Sequence, residues 1–218
     1  MRRRSQKHEV SVFTYVIEHD LGFAPNPFHG ACTLACCKPV IRKTVKLGDI
    51  ILGMGAVKPN LSGRLCYWMR VDEILTFDEY WSDARFRRKK PVMNGTTFLR
   101  YGDNIYHSNR SGVYCQEYSF HSLENGEISL GDLHRDTGRT DRVLISHEFA
   151  YWGRRGIQMP DELKHFAIRS SGHKRNFEKV EVAALMAWLG QHPERGYLGE
   201  PAHWQFLDTP KRRRKKKA

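Results

Sequence analysis

Hydrophobic residues in this chain gather in short β-branched and aromatic runs rather than in long helical stripes. Residues 10–17, VSVFTYVI, read as a buried first strand, because Val, Ile, Thr and aromatic side chains suit a pleated surface. Residues 50–55 predict a second strand after the Gly48-Asp49 turn, and residues 65–75 a long third one. These two are expected to pair as an antiparallel hairpin across the 59–63 loop. Residues 142–146 predict a late strand, with short strands near 104–106 and 112–114. Helical signals are fewer. Thr76 is a candidate N-cap for a short helix at 77–81, and Pro39 suits the first turn of another. The stripe Val182, Leu185, Met186 and Leu189 predicts a helix over 178–189. Short strands with few helices point to an α+β fold built on a small antiparallel barrel.

Composition adds a boundary and a partner. With 40% hydrophobic and 28% charged residues the chain is expected to fold rather than to be disordered. The net charge of +12 falls to +1 once residues 1–8 (four basic) and 211–217 (seven basic) are set aside. One domain over 9–210 is therefore expected between two disordered basic tails, 1–8 and 211–218. Such tails attract polyanions without reading sequence, so a nucleic acid is an expected partner. No apolar run approaches the ~20 residues of a bilayer span, and the basic N-terminus lacks the apolar stretch of a secretory signal. No membrane role and a cytoplasmic location are the expectations. Five cysteines, an odd count, predict reduced thiols rather than disulfides.

The loop at 22–30 carries most of the candidate chemistry. Its two prolines and two glycines exclude regular structure, yet it bears Phe23, Asn26, Phe28 and His29. With Lys38 and Arg42 these residues combine flat surfaces for stacking, donors for a base edge and cations for phosphate. The plainer alternative has Phe23 and Phe28 pinning the loop while Lys38 and Arg42 face solvent. Asn26 offers a donor and an acceptor, His29 a proton relay, and Cys32 a thiol whose reactivity His29 and Lys38 would raise. Those three are the catalytic candidates. Asp103 and Tyr106, in the polar group 100–107, and Ser146 and Trp152, after the late strand, are further nucleotide-binding candidates. His29, Cys32 and Cys36 have helical-face spacing, but no second ligand pair accompanies them, so no metal is assigned. No P-loop, Rossmann, G-x-S-x-G or H-E-x-x-H pattern occurs, and no cofactor is assigned.

The string F-A-P-N-P-F-x-G-x-C-T-L-A-x-C-K-P-x-I-R over residues 23–42, followed by Gly48-Asp49, resembles the second nucleotide modification-associated domain family. That family of bacteria and phages is linked by gene neighbourhood to DNA modification. The Gly48-Asp49 strand and residues 67–74 are similar, more loosely, to PUA-like domains of the EVE and ASCH groups, small β-barrels with flanking helices. Together the resemblances imply a protein that binds a modified or flipped nucleotide, with DNA the expected partner, and takes part in making or processing the base. A non-catalytic reader of modified DNA, or a protein acting on free nucleotides or nucleotide-derived signals, are the alternatives. The resemblance supplies no reaction.

Overall fold

The first strand forms as β1 (Val12–Ile17), buried along its whole length. The structure, a computed structural model, describes residues 9–168 and 172–207, so both basic tails lie outside the described residues. From β1 the chain runs through a loop, β2 (Cys32–Leu34) and helix α1 (Pro39–Thr44), then returns as β3 (Ile50–Gly55). β3 lies parallel to β1, with Val12 opposite Ile50 and Ile17 opposite Gly55. It then turns back antiparallel into β4 (Arg64–Arg70), the expected hairpin. Gly53 permits this pairing, since a Cβ there would sit 2.1 Å from the Tyr67 ring.

The third strand expected over 65–75 is two strands in two sheets. The Val71 amide bonds the Asp49 carbonyl, whereas the next amide, Asp72, bonds Ile145. The chain thus changes sheets and continues as β5 (Glu73–Thr76). Helix α2 (Phe77–Ser82) follows at once, started by a capping box between Thr76 and Glu79 that confirms the N-cap. Next come a 3₁₀ turn (Ala84–Lys89), α3 (Thr97–Arg100), and the hairpin β6 (Tyr106–Ser108) and β7 (Tyr114–Gln116). Helix α4 (Leu130–Thr137), which the apolar pattern did not announce, leads to β8 (Arg142–Ser146) and β9 (Glu148–Tyr151). The chain crosses sheets again between β8 and β9. His147 marks that corner, its amide 2.6 Å and its Nδ1 3.1 Å from the Asp72 carboxylate. Short strands β10 (Ile157–Gln158) and β11 (His173–Lys174), helix α5 (Lys179–Gly190) and β12 (Gly196–Tyr197) complete the described chain.

The larger sheet has the order β11-β1-β3-β4-β9-β12, with β10 on β4, and the smaller one β2-β8-β5. Mixed sheets with few helices match the expected class. The antiparallel barrel does not close among the described residues, and β1–β3 and β9–β12 pair parallel. The reason is the long crossover at 18–49, which returns the chain alongside β1 in the same direction. One core layer lies between the sheets, with Phe13, Tyr15, Leu34, Tyr67 and Tyr151. A second holds Leu185, Leu189 and Phe166 against the outer face of the large sheet. A third packs Phe77, Tyr80 and Tyr106 on the outer face of the small one. Among the described residues no helix is long and apolar enough to cross a membrane.

Candidate functional site

The turn between β2 and α1 places two consecutive non-glycine residues in the left-handed region, Cys37 at φ 58° and Lys38 at φ 43°. Each costs roughly 1–2 kcal/mol of backbone strain, so the surroundings must hold them. They do. The Cys37 amide donates to Asp136 Oδ1 at 2.9 Å, and its carbonyl accepts from Arg42 Nε at 2.9 Å. Pro39 at the first helical position removes an amide that would otherwise lack a partner. The half-buried Cys37 thiol then faces His121, with Sγ 3.7 Å from Nε2. The other ring nitrogen, Nδ1, lies 3.3 Å from Asp136 Oδ2. Tyr106 donates to the same carboxylate oxygen at 3.0 Å, and Arg135 approaches both oxygens at 3.1 and 3.2 Å. A thiol, an imidazole and a carboxylate therefore stand in line, each fixed by the next.

Electrostatics reinforce the arrangement. Burial alone would lower the His121 pKa, but its bonds to Asp136 and Cys37 outweigh that, and it is pushed up to about 9. Burial likewise opposes ionisation of Asp136, yet His121 and Arg135 hold its carboxyl below the usual value. His121 is thus an imidazolium at neutral pH. Its stabilising contribution, about 3 kcal/mol, is fully present below pH 6.5 and is lost as pH rises towards 9. Lys89, pushed down to about 8 by burial, acts in the opposite sense above that pH. Urea midpoints of wild type minus His121→Asn across pH 6–9 should therefore shrink steadily with pH; a constant difference would refute the assignment.

This line of groups opens onto a cavity of about 400 Å³ walled by Tyr15, Phe23, Lys38, Phe120 and Arg135. Phe23 meets the His121 ring edge-on at 4.5 Å. The Lys38 ammonium sits 4.7 Å over the Tyr15 ring, and Arg135 Nη2 is 3.8 Å from the Cys37 sulfur. The sulfur thus stands between an imidazole and a guanidinium. Cys36, His121 and Asp136 also present donor atoms within 4.8 Å of one another. A metal cation there would add positive charge beside Arg42 and Arg135, which already balance Asp136. The donor set suits proton transfer better than ligation.

A larger cavity, about 700 Å³, lies on the other side of the 22–30 loop. Phe28, Phe98, Phe149 and Tyr197 give it an apolar lining, with Arg88, Arg195, His29 and His147 among its polar groups. Burial, then Lys89 and Arg88, lower the His29 pKa to about 4, so its ring is neutral. His29 Nε2 is buried without a hydrogen-bond partner among the described residues.

The expected site residues are thus distributed over several places. Phe23 and Lys38 wall the smaller cavity, Phe28 and His29 the larger, and Tyr106 supports Asp136. Arg42, expected at a phosphate, is turned inward. It is fully buried, and it donates to the carbonyls of Cys37, Arg142 and Asp136. Asn26 and Asp103 are also buried, in a network where Lys89 donates to Asn26 and Thr33 while Thr33 and Tyr80 donate to Asp103. Cys32, the expected catalytic thiol, is fully buried in β2, where burial raises its pKa, whereas Cys37 is half-buried at the cavity. Ser146 is buried with its hydroxyl on the Glu148 carbonyl, and Trp152 packs on the α5 side of the large sheet; neither lines the smaller or the larger of these two cavities. Sequence reasoning missed Cys37, His121 and Asp136. The C-C-K-P turn was the available signal, since Pro39 fixes where the strand ends and the helix begins.

The fold and this site define a mixed-sheet protein with a cysteine and a histidine on a cavity wall and a buried aspartate behind them. The family model for nucleotide modification associated domain 2 matches residues 9–208, and the chain belongs to that family. No curated protein and no solved structure matches it.

Proposed function

We propose that this domain is a nucleotide-modifying enzyme in which Cys37 is the nucleophile of an acyl transfer. The observation that carries this reading is the Cys37–His121–Asp136 line at a cavity edge. The order of groups is that of nucleophilic catalysis by a cysteine activated by an oriented histidine. The Cys37 thiolate adds to a carbonyl carbon, and the His121 imidazolium gives its proton to the departing amine or alcohol, leaving a thioester on sulfur. Water or an exocyclic amine of a base then attacks the thioester, returns its proton to His121 and frees the thiolate. Phe23 and Phe120 would flank a base, with Lys38 and Arg135 near its phosphate. DNA is the nucleic acid we favour as partner, from the family's association with nucleotide modification. A PUA-like fold belongs to the same reading, because a chain that passes from one sheet into the other at two corners is what a barrel opened along one seam would leave.

A second reading, binding without chemistry, draws on the larger cavity, where a neutral His29 sits among aromatic rings with no nucleophile. Mass spectrometry of nucleosides from cells expressing wild type or Cys37→Ser separates the two. The enzyme reading expects an acyl-sized mass difference in a nucleoside that depends on Cys37. Identical profiles alongside retained nucleotide binding would leave the binding reading alone standing.

A further inference from the structure

A row of aromatic rings joins the two cavities. Phe23, in the smaller, meets Phe120 at 5.7 Å, and Phe120 meets Tyr101 at 5.4 Å. Tyr101 stacks on Trp204 at 6.4 Å, and Trp204 meets Phe98 at 5.0 Å, within the larger cavity. Tyr197 continues the row 5.9 Å beyond Phe98. Four of its six rings are open to solvent, Phe120 at 45% and Phe98 at 40% exposed with Trp204 and Tyr197 half-buried, while Phe23 and Tyr101 are buried and link them. Cations accompany it throughout. Lys38 and Arg135 stand at one end and Arg88 and Arg195 at the other. Between them, Arg100 and Arg154 edge a polar recess of about 460 Å³ beside Trp204, where Arg154 also pairs with Glu200.

From this surface we infer that the substrate is a single-stranded polynucleotide, laid along the aromatic row with one base in each cavity. The inference deepens the proposed function and rests on it for the chemistry at Cys37. Partly exposed rings spaced along a cationic path are how proteins hold single strands, because every base has a face to stack while phosphates follow the cations. A duplex keeps its base faces covered and cannot use the rings. An apolar peptide would offer no anion to Lys38, Arg88 and Arg195. In the larger cavity the half-buried Tyr197, held edge-on against Phe28 at 5.3 Å, and the exposed Phe98 would offer the faces for its base.

The test measures anisotropy of labelled single strands of about a dozen nucleotides, deoxy and ribo, against the matching duplex, using the full chain. The basic tails are common to all variants, so differences between variants report on the described surface. We expect single strands to bind at least about tenfold more tightly than duplex, and Phe98→Ala to weaken them by roughly tenfold. Arg100→Ala should weaken them and flatten the salt dependence by about one phosphate contact. Both residues stand apart from the Cys37 cavity, so iodoacetamide labelling of Cys37 should be unchanged in both variants. The deoxy and ribo arms identify which polymer is preferred, and either preference upholds the track. Equal affinity for duplex and single strand would overturn the inference, as would unaltered single-strand binding by both variants. A Cys37→Ser protein that binds strands normally but modifies nothing upholds track and reaction together. Strand binding with no reaction even in wild type would sink the reaction and leave the track.

Discussion

Cys37→Ser is expected to reduce any modification reaction by at least about a thousandfold, the scale seen when a covalent nucleophile is removed from an intact site. The same residue should dominate thiol chemistry at neutral pH. Cys32, Cys36 and Cys66 are buried, and burial raises the pKa of each, which leaves Cys37 and Cys115 as the accessible thiols. Among the described residues the Cys115 thiol hydrogen-bonds the Val113 carbonyl, at 3.8 Å, whereas Cys37 faces His121 and Arg135. Iodoacetamide should therefore label Cys37 at least about tenfold faster than Cys115, and His121→Asn should remove most of that advantage. Peptide mass spectrometry of a labelling time course reads both rates. Equal rates at the two cysteines would show that the line of groups does not activate the thiol.

The second large effect is on stability. Arg42→Ala should destabilise the protein by about 3–5 kcal/mol, as when one partner of a buried charge pair is removed. It would leave the carbonyls of Cys37, Arg142 and Asp136 without their donor and remove one of the cations around the Asp136 carboxylate, Arg135 and His121 remaining. Against a typical total of about 5–15 kcal/mol this is a large fraction. Arg42→Lys should recover only part of the loss, because an ammonium cannot span three carbonyls arranged around a guanidinium fork. Urea unfolding followed by tryptophan fluorescence measures both. A normal midpoint with weakened nucleotide binding would return Arg42 to the phosphate role expected from its sequence neighbourhood.

Elements that declare themselves locally were readable in the sequence. The β-branched run of β1, the Thr76–Glu79 capping box and the apolar stripe of α5 each lie within a few neighbouring residues. The break between β4 and β5 was not readable, because it depends on Asp72 finding Ile145, far along the chain. The barrel expectation failed for a similar reason: which way β3 returns is decided by the crossover, not by its own residues. In the site, the 23–42 segment was identified as important, but burial reversed several roles within it. Asn26 and Arg42 look like surface polar groups until partners from residues 89, 136 and 142 are brought to them. His121 and Asp136 sit in a stretch rich in glycine, serine and asparagine with no periodic signal, and only tertiary packing joins them to Cys37.

The left-handed backbone at Cys37 also limits which nucleophiles evolution could place there. A β-branched side chain at φ 58° is a steric outlier, so threonine is excluded by the turn itself, whatever its chemistry. Serine fits the same space but would meet a histidine whose pKa Asp136 still raises, and so a poorer base than a free imidazole. A lineage moving from sulfur to oxygen would first have to loosen the hold of Asp136 on His121. The same carboxylate anchors the Cys37 amide, so relaxing the base would also release the turn that presents the nucleophile.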